Sequence, residues 1–179
     1  QQEDLRCTEE LYKEYWINMP QENNIELSII IPVFNEERYL SKIFQDLIKY
    51  FNSNKNEVII VDDGSSDQSP EIIEGFKKNK LYKFNYKVIT LDINSGKGKA
   101  IQSGIKNSRG NYILLQDADL ELDIKDSNEM YNLIKSNSDI KCLFGSRYLS
   151  GKLKKNIYFF NSLIGKINST IFNIFFAQS

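Results

Sequence analysis

From Glu26 onward the apolar residues fall into two alternating spacings. Four runs are nearly continuous: "LSIIIPV" at 27–33, "EVIIV" at 57–61, "YKVITLD" at 86–92 and "NYILLQD" at 111–117. Between them the apolar positions recur every three or four residues, which predicts helices over about 37–50, 69–80 and 97–108. The order is therefore β-α-β-α-β-α-β. Strands that read as unbroken apolar runs separated by helices indicate a parallel sheet covered on both faces, an α/β, Rossmann-like architecture sandwiched by helices. Upstream, "TEELYKEYW" predicts a short helix capped by Thr8, which "NMPQENN" breaks at Pro20. Downstream, Ile157, Phe160, Leu163, Ile164, Ile167, Ile171 and Ile174 recur at largely helical intervals behind Lys152, Lys154 and Lys155. The expected division is an N-terminal arm over 1–24, a core over 25–151 and an amphipathic helix over 152–179.

That architecture says where to look for chemistry. Open parallel sheets bind ligands outside the carboxyl ends of their strands. Each predicted strand runs into a polar cluster: Asn35-Glu36, Asp62-Asp63-Gly64-Ser65, Asp92 with Asn94, and Asp117-Ala118-Asp119. These clusters should meet on one edge. The last continues into Glu121 and Asp123, and like charges spaced two apart gain a strand nothing, so the carboxylates of "NYILLQDADLELD" are expected to face a cleft.

Composition narrows the chemistry. With 41% hydrophobic and 26% charged residues, the 179-residue chain is an ordinary globular sequence, and its net charge of -1 offers no basic excess for nucleic acid. There is no histidine, which removes Ser-His-Asp and Cys-His catalysis and the HExxH zinc motif together. Cys7 and Cys142 form no CxxC, so neither a zinc site nor a disulfide framework is expected and a reducing compartment is the default. Acid-base and metal work falls to carboxylates, lysines and tyrosines. Asp117 and Asp119, with Glu121 as a third oxygen donor, suit Mg2+ or Mn2+ shared with substrate phosphates. In "VDDGSSD", Gly64 and Ser65 can make a turn while Asp62 or Asp63 reaches a ribose or base, and Asp67 or Ser69 caps the next helix. "NSGKGKA" brings glycines, Lys97 and Lys99 to a helix start, where they could admit a diphosphate, although it is neither a P-loop nor GxGxxG. No basic leader precedes an apolar core at the N-terminus, and no run reaches the length of a membrane span.

Five segments in order, "SIIIPVFNEERYL", "EVIIVDDGSSDQS", "NSGKGKAIQSG", "SRGNYILLQDADLELD" and "FGSRYLSG", resemble the GT-A-fold glycosyltransferases of family 2. The branch they resemble is that of the dolichyl- and polyprenyl-phosphate hexose synthases, over about residues 26–151. The resemblance implies that Pro32, Phe34, Glu36 and Asp63 hold the nucleoside with Asp62 beside it, and that Gly96 and Lys97 border the diphosphate. It implies that Asp117, Asp119 and Glu121 carry the metal around Ala118, and that Arg147 meets a phosphate. The implied activity is inverting transfer of a hexose from GDP-mannose or UDP-glucose to a polyprenyl or dolichyl phosphate, by an enzyme in peripheral contact with the cytoplasmic face of a membrane. Such families continue further on the acceptor side, so the chain reads as truncated towards its C-terminus, and Lys152, Lys154, Lys155 and Lys166 match the family's basic residues only loosely. Two alternatives stand beside this reading: a saccharide hydroxyl acceptor, and a non-catalytic nucleotide-sugar-binding module. A haloacid-dehalogenase phosphotransferase would want Thr where Glu121 stands, and a receiver domain would place its acidic pair after the first strand, not the second.

Overall fold

In the computed structural model, residues 25–79 and 81–145 are described. The N-terminal arm, Arg147 and the amphipathic stretch over 152–179 lie outside the described residues. Four strands, β1 (Leu27–Val33), β2 (Asn56–Asp62), β3 (Asn85–Thr90) and β4 (Tyr112–Leu115), form one sheet in the order β3-β2-β1-β4, and every pairing is parallel. The intervening helices are α1 (Glu37–Phe51), α2 (Ser69–Asn79) and α3 (Lys97–Lys106), and α4 (Ile124–Ser136) follows β4. The chain thus winds outward from β1 to β3 and then returns to the other side of β1. This reversal leaves a crevice between the carboxyl ends of β1 and β4, where open α/β sheets place their ligands.

The central strands read as unbroken apolar runs because both of their faces are covered. On one face Ile29, Ile31, Val58 and Ile60 pack against Leu40, Ile43, Phe44 and Leu47 of α1, Ile73 and Phe76 of α2 and Ile124 of α4. On the other, Ile30, Ile59 and Val61 meet Ala100 of α3. Strand β3 instead mixes exposed and half-buried residues and buries none fully, as an edge does. Element boundaries shift slightly from those expected. Helix α3 ends at Lys106 and not near 108, and β4 stops at Leu115 and not at Asp117. Helix α4 was not anticipated. Its N-cap is Asp123, whose side chain accepts from the Lys125 N–H at 2.9 Å, so this carboxylate caps a helix and the expectation that it faces a cleft is corrected.

At the opposite, amino-terminal edge of the sheet, a buried carboxylate ties three elements together. Glu57 on β2 accepts from Ser28 Oγ of β1 at 2.6 Å, from the Arg109 N–H at 2.5 Å and from Arg109 Nε at 3.1 Å. Ser28 Oγ in turn accepts from the Gly110 N–H at 2.7 Å. The approach is close enough that a Cβ on Gly110 would stand 2.5 Å from the Ser28 nitrogen, so only glycine fits. Beside this clasp Glu26 pairs with Lys55 and Lys135, and hydrogen bonds from those two lysines, Lys135 first, bring its carboxyl down to about 2.

Candidate functional site

A cleft of about 290 Å³ opens at the carboxyl edge, at the crevice between β1 and β4. One wall is the end of β1 and its loop, with Pro32, Phe34 and Glu36; the opposite wall is the loop after β4, with Asp117, Ala118 and Asp119. Asp63 also lines it, and Asn94, Gly96, Lys97 and Ala100 bound it from the β3–α3 turn and the first turn of α3. Of the predicted residues that are described, Asp62 and Glu121 do not line the cleft, nor do Asn35, Asp92 and Lys99; Arg147 lies outside the described residues. Asn94, expected among the polar strand ends, does reach the cleft, and Ala100, which lay in the glycine-rich motif, lines it without having been singled out.

The wall from β1 is held rigidly. Asn35 adopts φ +56°, a left-handed conformation that asparagine tolerates better than most residues. Its Oδ1 accepts from the Ser66 N–H at 2.8 Å and its own N–H donates to Ser65 Oγ at 3.0 Å. The Glu36 N–H donates to Ser69 Oγ at 2.9 Å, and Asp67 accepts from the Glu37 N–H at 3.1 Å and the Ser69 N–H at 2.9 Å. Asp67 therefore caps α1 as well as α2, and the two loops lock to each other. Burial opposes ionisation of Asp67, but these hydrogen bonds, led by that of Ser69, win and hold its carboxyl below the usual range.

Asp62 and Asp63 divide two tasks. Asp62 is buried and accepts from the Ser65 N–H at 3.0 Å, which closes the turn at Gly64. Gly64 has φ +71° and a Cβ there would meet the Asn94 nitrogen at 2.8 Å, so the β3–α3 turn packs directly on its backbone. Asp63, also buried, accepts from the Ser95 and Gly96 N–H groups, each at 2.8 Å. Both of its oxygens therefore fix the turn that carries Lys97. That anchoring role was not expected; the only trace of it in sequence is a second carboxylate beside one already needed for the turn.

The acidic wall is shaped by Gln116, another residue missed. Buried at 1% exposure, it donates from Nε2 to the carbonyls of Asp117 (3.2 Å) and Leu122 (3.3 Å) and accepts from Ser127 Oγ of α4 at 2.7 Å. It thus staples both ends of the 117–122 loop to the helix behind it. Within that loop Leu120 has φ +57°, strained for a leucine, and Asp119 Oδ1 accepts from the Glu121 N–H at 2.9 Å. Asp117 pairs with Lys97 at 2.6 Å, whereas Asp119 has no ion pair among the described residues. Glu36 senses the accumulated charge: burial, then the carboxylates of Asp119, Asp67 and Asp117, push its carboxyl above the usual range. Asp117 and Asp119 offer hard oxygens of the type Mg2+ and Mn2+ take, and no three acidic side chains converge on one point among the described residues. The residues fit an ion held by one or two carboxylates and completed by phosphate oxygens and water, the arrangement Mg2+ favours.

Sequence and structure comparisons agree on the class of protein. The family described as "Glycosyl transferase family 2" matches residues 28–172. A dolichyl-phosphate beta-glucosyltransferase of Dictyostelium discoideum is 34% identical over 134 residues, covering 70% of this chain and 41% of that protein. A poly-beta-1,6-N-acetyl-D-glucosamine synthase of Staphylococcus epidermidis is 30% identical over 143 residues, covering 80% of this chain and 32% of that protein. Among solved structures, S. aureus TarS 1–349 in complex with UDP-GlcNAc superposes with a TM-score of 0.55 at 30% identity, over 64% of this chain and 32% of that one. The chain spans less than half the length of these relatives.

Proposed function

The chain belongs to glycosyl transferase family 2, with the GT-A fold of its structural neighbours, and we propose that it carries the donor-binding part of an inverting hexosyltransferase. In this reading a hexose passes from a UDP- or GDP-sugar to a polyprenyl or dolichyl phosphate in the presence of Mg2+ or Mn2+. The observation that carries the proposal is the meeting, at the β1–β4 crevice, of Asp117 and Asp119 on one wall with Lys97 and the open turn of Gly96 on another. Pro32 and Phe34, the latter 43% exposed, offer an apolar surface for a nucleoside on the first wall. Asp63 holds the 95–96 backbone so that the diphosphate side of the cleft keeps its shape, and Lys97 supplies a mobile positive charge there. Asp117 and Asp119 would hold the divalent ion, whose chemistry is to neutralise the leaving diphosphate. Gln116 keeps these two carboxylates in place. An acceptor attacking from the face opposite the diphosphate inverts the anomeric carbon. A phosphate monoester, with a second pKa near 6, is largely dianionic at neutral pH and needs no base, which suits a histidine-free chain.

The acceptor class is supported by the dolichyl-phosphate relative, and the lysine-led apolar spacing of 152–174 supports contact with a cytoplasmic membrane face. No helix among the described residues is long and apolar enough to cross a membrane. The polysaccharide synthase relative favours a second reading, transfer to a saccharide hydroxyl. Incubating the protein with UDP-[14C]glucose or GDP-[14C]mannose, Mn2+ and dolichyl phosphate tests the first. Label extracted into organic solvent supports it, label confined to an added oligosaccharide favours the second, and binding of nucleotide sugar without transfer to either leaves a binding module.

A further inference from the structure

The ion pair between Lys97 and Asp117 has a consequence for how ligands enter the cleft. Lys97 is the first residue of α3, and its starting point is fixed. The Gly96 N–H just before it donates to Asp63 Oδ2 at 2.8 Å and to Asn94 Oδ1 at 3.0 Å. From that anchored point its Nζ reaches across the cleft to Asp117 Oδ1 at 2.6 Å. The lysine side chain is 60% exposed and the aspartate's 20%, so the pair is a solvated contact on a flexible stem, readily exchanged for another. It nonetheless puts a positive charge on one of the two carboxylates that present hard oxygens to the cleft, while Asp119 has no such partner among the described residues.

We propose that Lys97 is the resident counter-ion of Asp117, and that it makes the divalent ion and the diphosphate bind as a coupled pair. The proposal rests on the reading above that Asp117 and Asp119 hold the ion. An ion arriving alone meets a cation already seated on one of its two ligands. A diphosphate arriving alone meets carboxylates on both walls, Asp117 and Asp119 on one and Glu36 on the other. When both arrive, Lys97 leaves Asp117 for the phosphate oxygens, Asp117 turns to the divalent ion, and each cation ends beside more negative charge than before. By linkage, whatever factor the nucleotide adds to ion affinity, the ion adds to nucleotide affinity.

The test is a titration of Mn2+ followed by the electron paramagnetic resonance of the free ion. It uses the 179-residue chain as wild type, Lys97→Met and Lys97→Arg, alone and with saturating UDP or GDP. Wild type and Lys97→Arg should bind Mn2+ weakly alone and far more tightly with nucleotide. Lys97→Met should bind Mn2+ alone about tenfold more tightly than wild type, since a neighbouring unit charge is removed, and nucleotide should add correspondingly less. Circular dichroism confirms that the variants fold. If Lys97→Met binds Mn2+ alone no more tightly than wild type, the counter-ion role is overturned while the metal site stands. If none of the three proteins binds Mn2+ even with nucleotide, the metal reading itself fails and takes this proposal with it.

Discussion

The two edges of the sheet carry carboxylates of the same kind and treat them in opposite ways. At the amino-terminal edge Glu57 is 2% exposed yet has three donors, and Glu26 has two lysines. At the carboxyl edge Glu36, Asp117 and Asp119 share a cleft with one lysine between them, and Glu36 is harder to ionise than usual because it is partly buried and its neighbours are acids too. Charges compensated inside the fold serve to hold strands in register. Charges that outnumber the cations around them, as in the cleft, suit cations from outside. Counting acids in the sequence cannot separate these two fates, because the difference lies in which partners the topology delivers.

The largest effect should come from removing a carboxylate of the second kind. On the proposed function, Asp119→Ala is expected to lower hexose transfer on the order of a hundredfold to a thousandfold while leaving the urea midpoint unchanged or slightly raised, since the charge that crowds Glu36 is gone. A clear loss of stability would erase the contrast between the edges. Glu57→Ala should do the reverse and cost about 2–3 kcal/mol in urea unfolding, because the Arg109 amide and the Ser28 hydroxyl lose their acceptor. Nucleotide affinity of the folded fraction, measured by calorimetry, should not move. Gln116→Ala tests whether the acidic wall needs its staple: transfer should fall roughly tenfold with nucleotide binding in EDTA preserved.

The smallest effect is a pH dependence. Glu26 titrates in the folded protein at about 2 instead of its ordinary 4.5, so the stability it contributes is fully present above pH 4.5 and is lost as pH falls towards 2. Glu36 is shifted upward, so it acts with the opposite sign, and stability declines as pH rises from 4.5 through its folded value. Glu26→Gln should flatten the acid limb by less than about 1 kcal/mol, the worth of exposed pairs, in unfolding curves recorded from pH 2 to 6. A larger change would mean that the amino-terminal edge depends on its surface ions as much as on Glu57.

The sheet and its first three helices were legible because strands buried on both faces leave unbroken apolar runs and their helices keep a 3.6-residue period. The crevice was legible too, since parallel order alone sends every polar strand end to one edge. Helix α4 was hidden because its capping aspartate, Asp123, continues the spacing of Asp117, Asp119 and Glu121 and so reads as one more cleft acid. Asp67 was legible as a cap of the helix that follows it, but its bond to α1 and the roles of Asp63 and Gln116 were hidden for another reason: each acts on backbone groups of a segment distant in sequence or turned back on itself. No local pattern records such a bond. Lys97 was visible as a cation beside a glycine-rich turn, but its present partner in the loop after β4 was not.

The reciprocal bonds between residues 35–37 and 65–69 bear on how such a protein can be altered. Asn35, Glu36 and Glu37 have their amides or side chain engaged by Ser65, Ser66, Asp67 and Ser69, so the two segments behave as one transplantable cassette. Grafting either loop alone from another member of the family would import donors without their acceptors. Exchanging both together keeps the bonds between the two loops, so a directed library should vary them as a single unit.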